Sequence, residues 1–182
     1  MSALKTHYLQ HVIPTLQKEF EYKNPHQIPK LVKIQVSAGL GLNAQNRAFL
    51  QKAIDEIRIV TGQHPVLTKA KQSVAGFKIR EEMQLGLTTT LRSEKMYAFL
   101  EKMIALVLPR LRDFRGLSPS QFDRDGNYNF GISDQLVFPE IDFDNVEQRR
   151  GFNITIVTTA KNPQEGFSLL KQLGVPFAKE EK

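Results

Sequence analysis

Six residues, Gly39-Leu40-Gly41-Leu42-Asn43-Ala44, carry the glycine spacing of a dinucleotide-binding turn. Such a turn brings bare backbone against a pyrophosphate at a helix N-terminus. The stretch before it alternates, with Lys33, Gln35 and Ser37 set between apolar residues. The first strand of a dinucleotide-binding domain is buried on both faces and continuously apolar. The acid that would hold a ribose about 20 residues on is also missing, since nothing acidic lies between Glu56 and Glu81. An NAD(P)-dependent oxidoreductase built on this turn is therefore the alternative reading, and a tight strand-to-helix turn the simpler one. His7 and His11 stand four apart, but Tyr8 occupies the place where a zinc protease needs its Glu, and no third ligand is near. His26 and His64 sit beside Pro25 and Pro65 in turns. Glu140, Asp142 and Asp144 alternate along the chain with only Ile141 and Phe143 between them. Catalytic carboxylates need polar or basic partners that separate their pKa values, so an acidic docking edge fits better. With no Cys, thiolate chemistry and Cys-ligated metals are excluded. No serine-centred elbow or phosphate loop occurs, and the residues point to no enzyme, cofactor, resident metal or small-molecule substrate.

Charge is the stronger signal. The chain has 182 residues and a net charge of +6, unevenly spread. From Glu56 to Glu81 only cations occur: Arg58, Lys69, Lys71, Lys78 and Arg80. A second basic cluster is Arg110, Arg112 and Arg115. From Asp125 to Glu147 the order reverses, with Asp125, Asp134, Glu140, Asp142, Asp144 and Glu147 and no Lys or Arg. This segregation suits a protein that touches both a polyanion and a basic partner. The longest apolar run, Met103 to Pro109, has seven residues, too few to span a membrane, and the N-terminus lacks the features of a leader, so a soluble intracellular protein is expected.

The elements that must position these groups follow from periodicity. Leu4, Tyr8, Val12, Leu16 and Phe20 predict a helix with a kink or restart at Pro14. Val32, Ile34 and Val36 alternate with Lys33, Gln35 and Ser37, which predicts a strand with one buried and one polar face. Asn43 or Asn46 caps a helix with Phe49, Leu50, Ala53, Ile54 and Ile57 on one face, ending near Gly62. A short Val66–Thr68 strand and a basic glycine-containing loop, 69–83, come next. Gln84 to Arg92 alternates again, with Leu85, Leu87, Thr89 and Leu91 opposite Gln84, Gly86, Thr88, Thr90 and Arg92. Ser93 is the expected cap of the following buried helix, which Pro109 ends. Residues 110–132 hold turn signals throughout and read as a long structureless loop. A last alternating strand spans Phe152 to Thr159, and Asn162-Pro163 with Glu165 opens a last helix.

One-sided burial in several strands predicts a single α+β domain over residues 1–182. Its architecture would be a two-layer sandwich, a mixed and mostly antiparallel sheet with helices on one face and an open polar face. That face lacks aromatics, so it suits phosphate and 2′-hydroxyl contacts with structured RNA better than base stacking.

Thr68-Lys69-Ala70-Lys71-Gln72-Ser73-Val74-Ala75-Gly76-Phe77-Lys78-Ile79-Arg80 closely resembles the central loop of the large-subunit ribosomal protein five family, which binds 5S ribosomal RNA in the central protuberance. Thr90-Leu91-Arg92, Pro109 to Gly116, Gly126-Asn127-Tyr128, Phe138 to Ile141, Arg150-Gly151 and Thr158 to Lys161 continue the resemblance over essentially the whole chain. The wording around Leu91 to Phe99 is similar to cyanobacterial and plastid members, which implies a chloroplast stroma or, alternatively, a bacterial cytoplasm. The resemblance implies a structural ribosomal protein with no membrane attachment. Its 5S contacts would lie at Lys33, Gln35, Ser37, Gly39, Gly41, Gln63, Thr88, Thr90 and Arg92. Lys69, Lys71, Gln72, Ser73, Gly76, Phe77, Lys78 and Arg80 would touch the elbow of the peptidyl-site tRNA. Arg110, Arg112, Arg115, Asp134, Glu140, Asp142 and Asp144 would meet large-subunit rRNA, neighbouring large-subunit proteins and a basic protein of the small-subunit head. Ser37 stands where the family usually has Asn, and Gln72 where a basic residue is common.

Overall fold

The computed structural model describes residues 2–143, 146 and 148–178. Asp144 and Glu147 of the acidic run lie outside the described residues.

Five strands, β1 (Leu31–Gly39), β2 (Val66–Lys69), β3 (Gln84–Leu91), β4 (Tyr128–Ile132) and β5 (Phe152–Thr158), form one sheet in the order β2-β3-β1-β5-β4. β2 and β3 pair antiparallel, with Val66 opposite Thr88 and Thr68 opposite Gly86. β1 and β5 also run in opposite directions. The Lys30 carbonyl accepts from Thr159 N–H at 3.0 Å at one end, and the Ser37 hydroxyl reaches the Asn153 carbonyl at 3.5 Å at the other. The period-two pattern is realised as burial. Ile34, Val36 and Ala38 in β1, Leu87, Thr89 and Leu91 in β3, and Phe152, Ile154 and Ile156 in β5 are buried, while the residues between them are half-buried or exposed. Each fully buried large apolar side chain contributes about 1.5–3 kcal/mol, and this repeated gain fixes which face turns inward.

The helices pack on this sheet as an α+β sandwich. α1 (Ala3–His7) and α2 (Ile13–Glu19) are joined by a π turn over Tyr8–Val12. Pro14 is the second residue of α2, so the restart expected there occurs, at Ile13, directly after the π turn. α3 (Arg47–Thr61) buries Phe49, Leu50, Ala53, Ile54, Ile57 and Val60. Its cap is Asn46, whose side chain accepts from Ala48 N–H at 3.0 Å and Phe49 N–H at 3.4 Å, and Gly62 ends it in the left-handed conformation. α4 (Ser93–Lys102) differs from expectation: Arg92 holds the cap position, and Ser93 is its first residue, with φ +51°. α5 (Pro163–Gln172) has proline in its first turn, and the Glu165 carboxylate reaches back to Lys161 N–H at 2.9 Å.

Residues 110–132 are not structureless. They contain a 3₁₀ turn, Pro119–Gln121, and β4, whose Tyr128, Phe130 and Ile132 are buried. Asp123 turns the chain by accepting from Asp125 and Asn127 N–H at 3.1 and 2.7 Å. The strand escaped the sequence reading because its alternation lasts only five residues and includes Gly131.

The chain divides into two compact units, and the division falls within β1, β4 and β5. The first comprises residues 1–34, 92–130 and 155–182, and the second 35–91 and 131–154. In the first, Phe122, Tyr128, Phe167 and Phe177 form an aromatic cluster, with Phe122 and Tyr128 ring centroids 4.6 Å apart and Phe167 and Phe177 4.8 Å apart. In the second, the buried Arg150 guanidinium lies over Phe49 at 4.2 Å and pairs with Glu56 at 3.2 Å. Burial raises the Glu56 pKa, against the opposing pull of Arg150 and Lys52.

Candidate nucleic-acid interface

The open face of the second unit is built from the polar halves of its strands. Gln35 donates from Nε2 to the Thr88 hydroxyl at 3.1 Å, and Ser37 donates to the Asn153 carbonyl. Gln63 donates from Nε2 to the Thr90 carbonyl at 3.2 Å. These bonds hold the side chains in place, while the amide and hydroxyl oxygens keep lone pairs for another partner. Gly86 lets the backbones approach: a Cβ there would stand 2.8 Å from the Ala38 carbonyl oxygen and 2.9 Å from Thr68 Oγ1. Lys33, half-buried, and Arg92, exposed just past β3, belong to the first unit. Asn153 and Thr155 extend the polar face of β5. Their alternation with Phe152, Ile154 and Ile156 was visible in the sequence, although neither was among the candidate contacts.

The glycine turn after β1 does not carry a helix N-terminus to a phosphate. Gly41, at φ +58°, starts a 3₁₀ turn through Gln45, and α3 begins only at Arg47 with its first free N–H groups taken by Asn46. Gln45 donates to the Gln84 carbonyl at 3.0 Å, and Asn43 to Gln148 Oε1 at 3.2 Å, so the turn is tied down by its own side chains. Gly39 is exposed, with open space where a Cβ would be. The geometry is that of a tight connection, and the dinucleotide reading loses the one feature that favoured it.

The basic loop stands apart as a closed hairpin. Ala70 N–H donates to Met83 O at 2.8 Å and Glu82 N–H to Ala70 O at 3.0 Å at its base. Val74 and Ile79 exchange backbone hydrogen bonds of 2.9 and 3.2 Å near its tip, and the Ser73 hydroxyl accepts from Glu81 N–H at 2.8 Å. Lys69, Lys71, Gln72, Ser73, Gly76, Phe77, Lys78 and Arg80 are all at least partly exposed. Lys69 lies 3.6 Å from Glu82, an exposed pair of little energetic weight.

The remaining candidates fall into two groups. Arg110, Arg112 and Arg115 are exposed in the first unit. In the second unit, Asp134 accepts from Leu136 N–H at 3.0 Å and pairs with Arg149 at 3.6 Å. Glu140 and Asp142 do not line an extended segment, because Pro139 and Glu140 turn the chain and Ile141 N–H donates to the Phe138 carbonyl at 3.2 Å. They instead join Lys52, Asp55, Glu56 and Ile59 of α3 around a cavity of about 250 Å³. Gln135 helps hold this return: its carboxamide accepts from Arg150 N–H and donates to the Gln148 carbonyl at 2.8 Å. Among the described residues no group of three or more His, Cys, Asp or Glu side chains could hold a metal, and no helix is long and apolar enough to cross a membrane. His7 Nε2 faces the Gln172 carbonyl at 3.2 Å.

A polar sheet face and a basic hairpin closed by its own backbone are features that suit a structural protein in contact with nucleic acid. Residues 24–80 match the family model of ribosomal protein L5, and residues 84–177 match the model of the C-terminus of the same ribosomal family. The large ribosomal subunit protein uL5c of Heterosigma akashiwo is 58% identical over 176 residues, covering 97% of each chain. That of Pyropia yezoensis is 56% identical over 174 residues, and the large ribosomal subunit protein uL5 of Acaryochloris marina 53% identical over 174, each covering 96% of both chains. The chain belongs to the ribosomal protein L5 family. It is a structural ribosomal protein and not an enzyme, and its relatives are of plastid and cyanobacterial type. The oxidoreductase reading has no support in these comparisons.

Proposed function

We propose that the open sheet face and the Gly39–Gly41 turn hold 5S rRNA in the large subunit. The hairpin 69–83 touches the elbow of the peptidyl-site tRNA. The Arg110–Arg115 cations meet large-subunit rRNA or a neighbouring protein, and the acidic surface of Asp134, Glu140 and Asp142 faces a basic protein of the small-subunit head. The observation that carries this reading is one-sided burial. Ile34, Val36, Leu87 and Leu91 are at most 1% exposed, while Lys33, Gln35, Ser37, Thr88 and Thr90 remain partly open between them. A sheet covered on one face only, with hydrogen-bonding groups and cations on the other, matches the phosphates and 2′-hydroxyls of a folded RNA.

Filter binding of the full chain to 5S rRNA over a series of salt concentrations tests it. Log K is expected to fall by about 0.7–0.9 per phosphate contact for each decade of salt. Arg92→Ala weakens 5S binding and lowers that slope by about 1, whereas Lys78→Ala leaves 5S binding intact and loosens tRNA. Equal weakening by both changes would show that the surface is divided wrongly. Saturable binding of a dinucleotide with none of the RNA would overturn the reading altogether.

A further inference from the structure

The hairpin 69–83 differs from the sheet face in one respect that charge does not explain. Phe77, at its tip, is 71% exposed, and Val74 beside the turn is 42% exposed. A single exposed apolar residue is ordinary on a protein surface. Phe77, however, is held outward by structure. Ala75–Phe77 form a 3₁₀ turn in which Phe77 N–H donates to the Val74 carbonyl at 3.3 Å and Lys78 N–H to the Ala75 carbonyl at 3.1 Å. Lys78 then leaves the turn at φ +56°, and the Val74–Ile79 pair closes it below. The ring is thus presented on a closed tip and left largely uncovered by the hairpin.

Its surroundings indicate what covers it. Lys71 and Lys78 are exposed on the same short hairpin with Arg80, and the acids Glu81 and Glu82 lie only at its base. Cations attract a phosphate backbone, and an aromatic ring among them takes the face of a base. A protein partner complementary to this tip would have to be acidic around an apolar pocket, whereas RNA supplies both the anion and the flat apolar face in one chain.

We infer that Phe77 is a stacking residue, receiving an unstacked base or the open end of a base stack while Lys71, Lys78 and Arg80 hold the adjacent phosphates. The inference rests on the reading that this hairpin meets RNA. It assigns the cations to charge and the ring to a contact that salt does not screen.

The test uses ribosomes carrying the wild-type chain, Phe77→Leu, Phe77→Tyr or Lys78→Ala, and measures release of peptidyl-site tRNA at several salt concentrations. Phe77→Leu is expected to speed release about fivefold to a hundredfold with its salt dependence unchanged, the range for one base on one ring. Phe77→Tyr restores wild-type release, because the ring is kept. Lys78→Ala speeds release most at low salt and flattens the salt dependence. If Lys78→Ala acts and Phe77→Leu releases tRNA as the wild type does, the hairpin meets RNA but the ring does not stack. If neither change alters release, the hairpin does not touch the tRNA and the underlying reading fails with the inference.

Discussion

The two loops that looked most alike in sequence, 69–83 and 110–127, are opposite in structure. Both are long, rich in turn residues and basic in part. The first is closed by its own backbone and leaves nearly every side chain in solvent. The second also has backbone bonds, Leu117 N–H donating to the Pro176 carbonyl and Ala178 N–H to the Leu117 carbonyl, both at 2.9 Å, but it buries its side chains as well: Leu117 is buried and Phe122 joins the aromatic cluster. Just past it, the Tyr128 hydroxyl donates to the Ser118 carbonyl at 2.8 Å. A loop ordered by backbone bonds keeps its side chains for a partner, whereas a loop ordered by aromatic burial has committed them to its own core. Loop length and polarity do not distinguish the two.

The contrast breaks most visibly at Tyr128. Tyr128→Ala is expected to cost about 3–5 kcal/mol of stability in denaturant unfolding, the loss for a large buried aromatic. Gly116→Ala follows, at about 1–3 kcal/mol, because Gly116 has φ +109° and a Cβ would stand 2.4 Å from the Ala178 nitrogen. Tyr128→Phe removes only the hydroxyl and is expected to cost about 1 kcal/mol. In the other loop, Lys71→Ala and Lys78→Ala should change stability by less than about 0.5 kcal/mol, because they remove exposed side chains from a hairpin closed by backbone bonds. Destabilisation by the lysine changes comparable to that of Tyr128→Ala would erase the distinction.

Alkali sharpens the same comparison. All four tyrosines, Tyr8, Tyr22, Tyr97 and Tyr128, belong to the first unit. Burial raises the pKa of each, pushing Tyr8 and Tyr128 from 10.0 to about 12. The folded state therefore holds these protons more tightly than the unfolded chain, so their stabilising effect is complete below pH 10 and is lost as the pH rises through 12. The fall in stability from pH 10 to pH 12, measured by denaturant unfolding, should be smaller in Tyr128→Phe than in the wild type, because the variant lacks one of these protons. An equal fall in both would mean that Tyr128 takes no part in it.

Much of this molecule was legible in its sequence. Alternation marked β1, β3 and β5, and Asn43 or Asn46 with Gly62 bracketed α3, of which the structure uses Asn46. β4 was hidden because its partners, β5 and the rest of the aromatic cluster, lie mostly 20 residues and more away in sequence. The polar face was readable as a set of residue types, but not the hydrogen bonds within it. Gln63 looked like a free contact, yet its amide is bonded to the Thr90 carbonyl 27 residues on. The acidic segment looked extended, yet a turn at Pro139–Glu140 folds it against α3.

What the sequence determined by itself was the inward face of each alternating strand and the sign of charge on each loop, because both depend on residue type and local period. The tertiary structure alone decided which loop was packed and which presented. It also decided where Arg150 meets Glu56, 94 residues away. Those outcomes depend on which distant side chains exclude water together, and no local pattern carries that information.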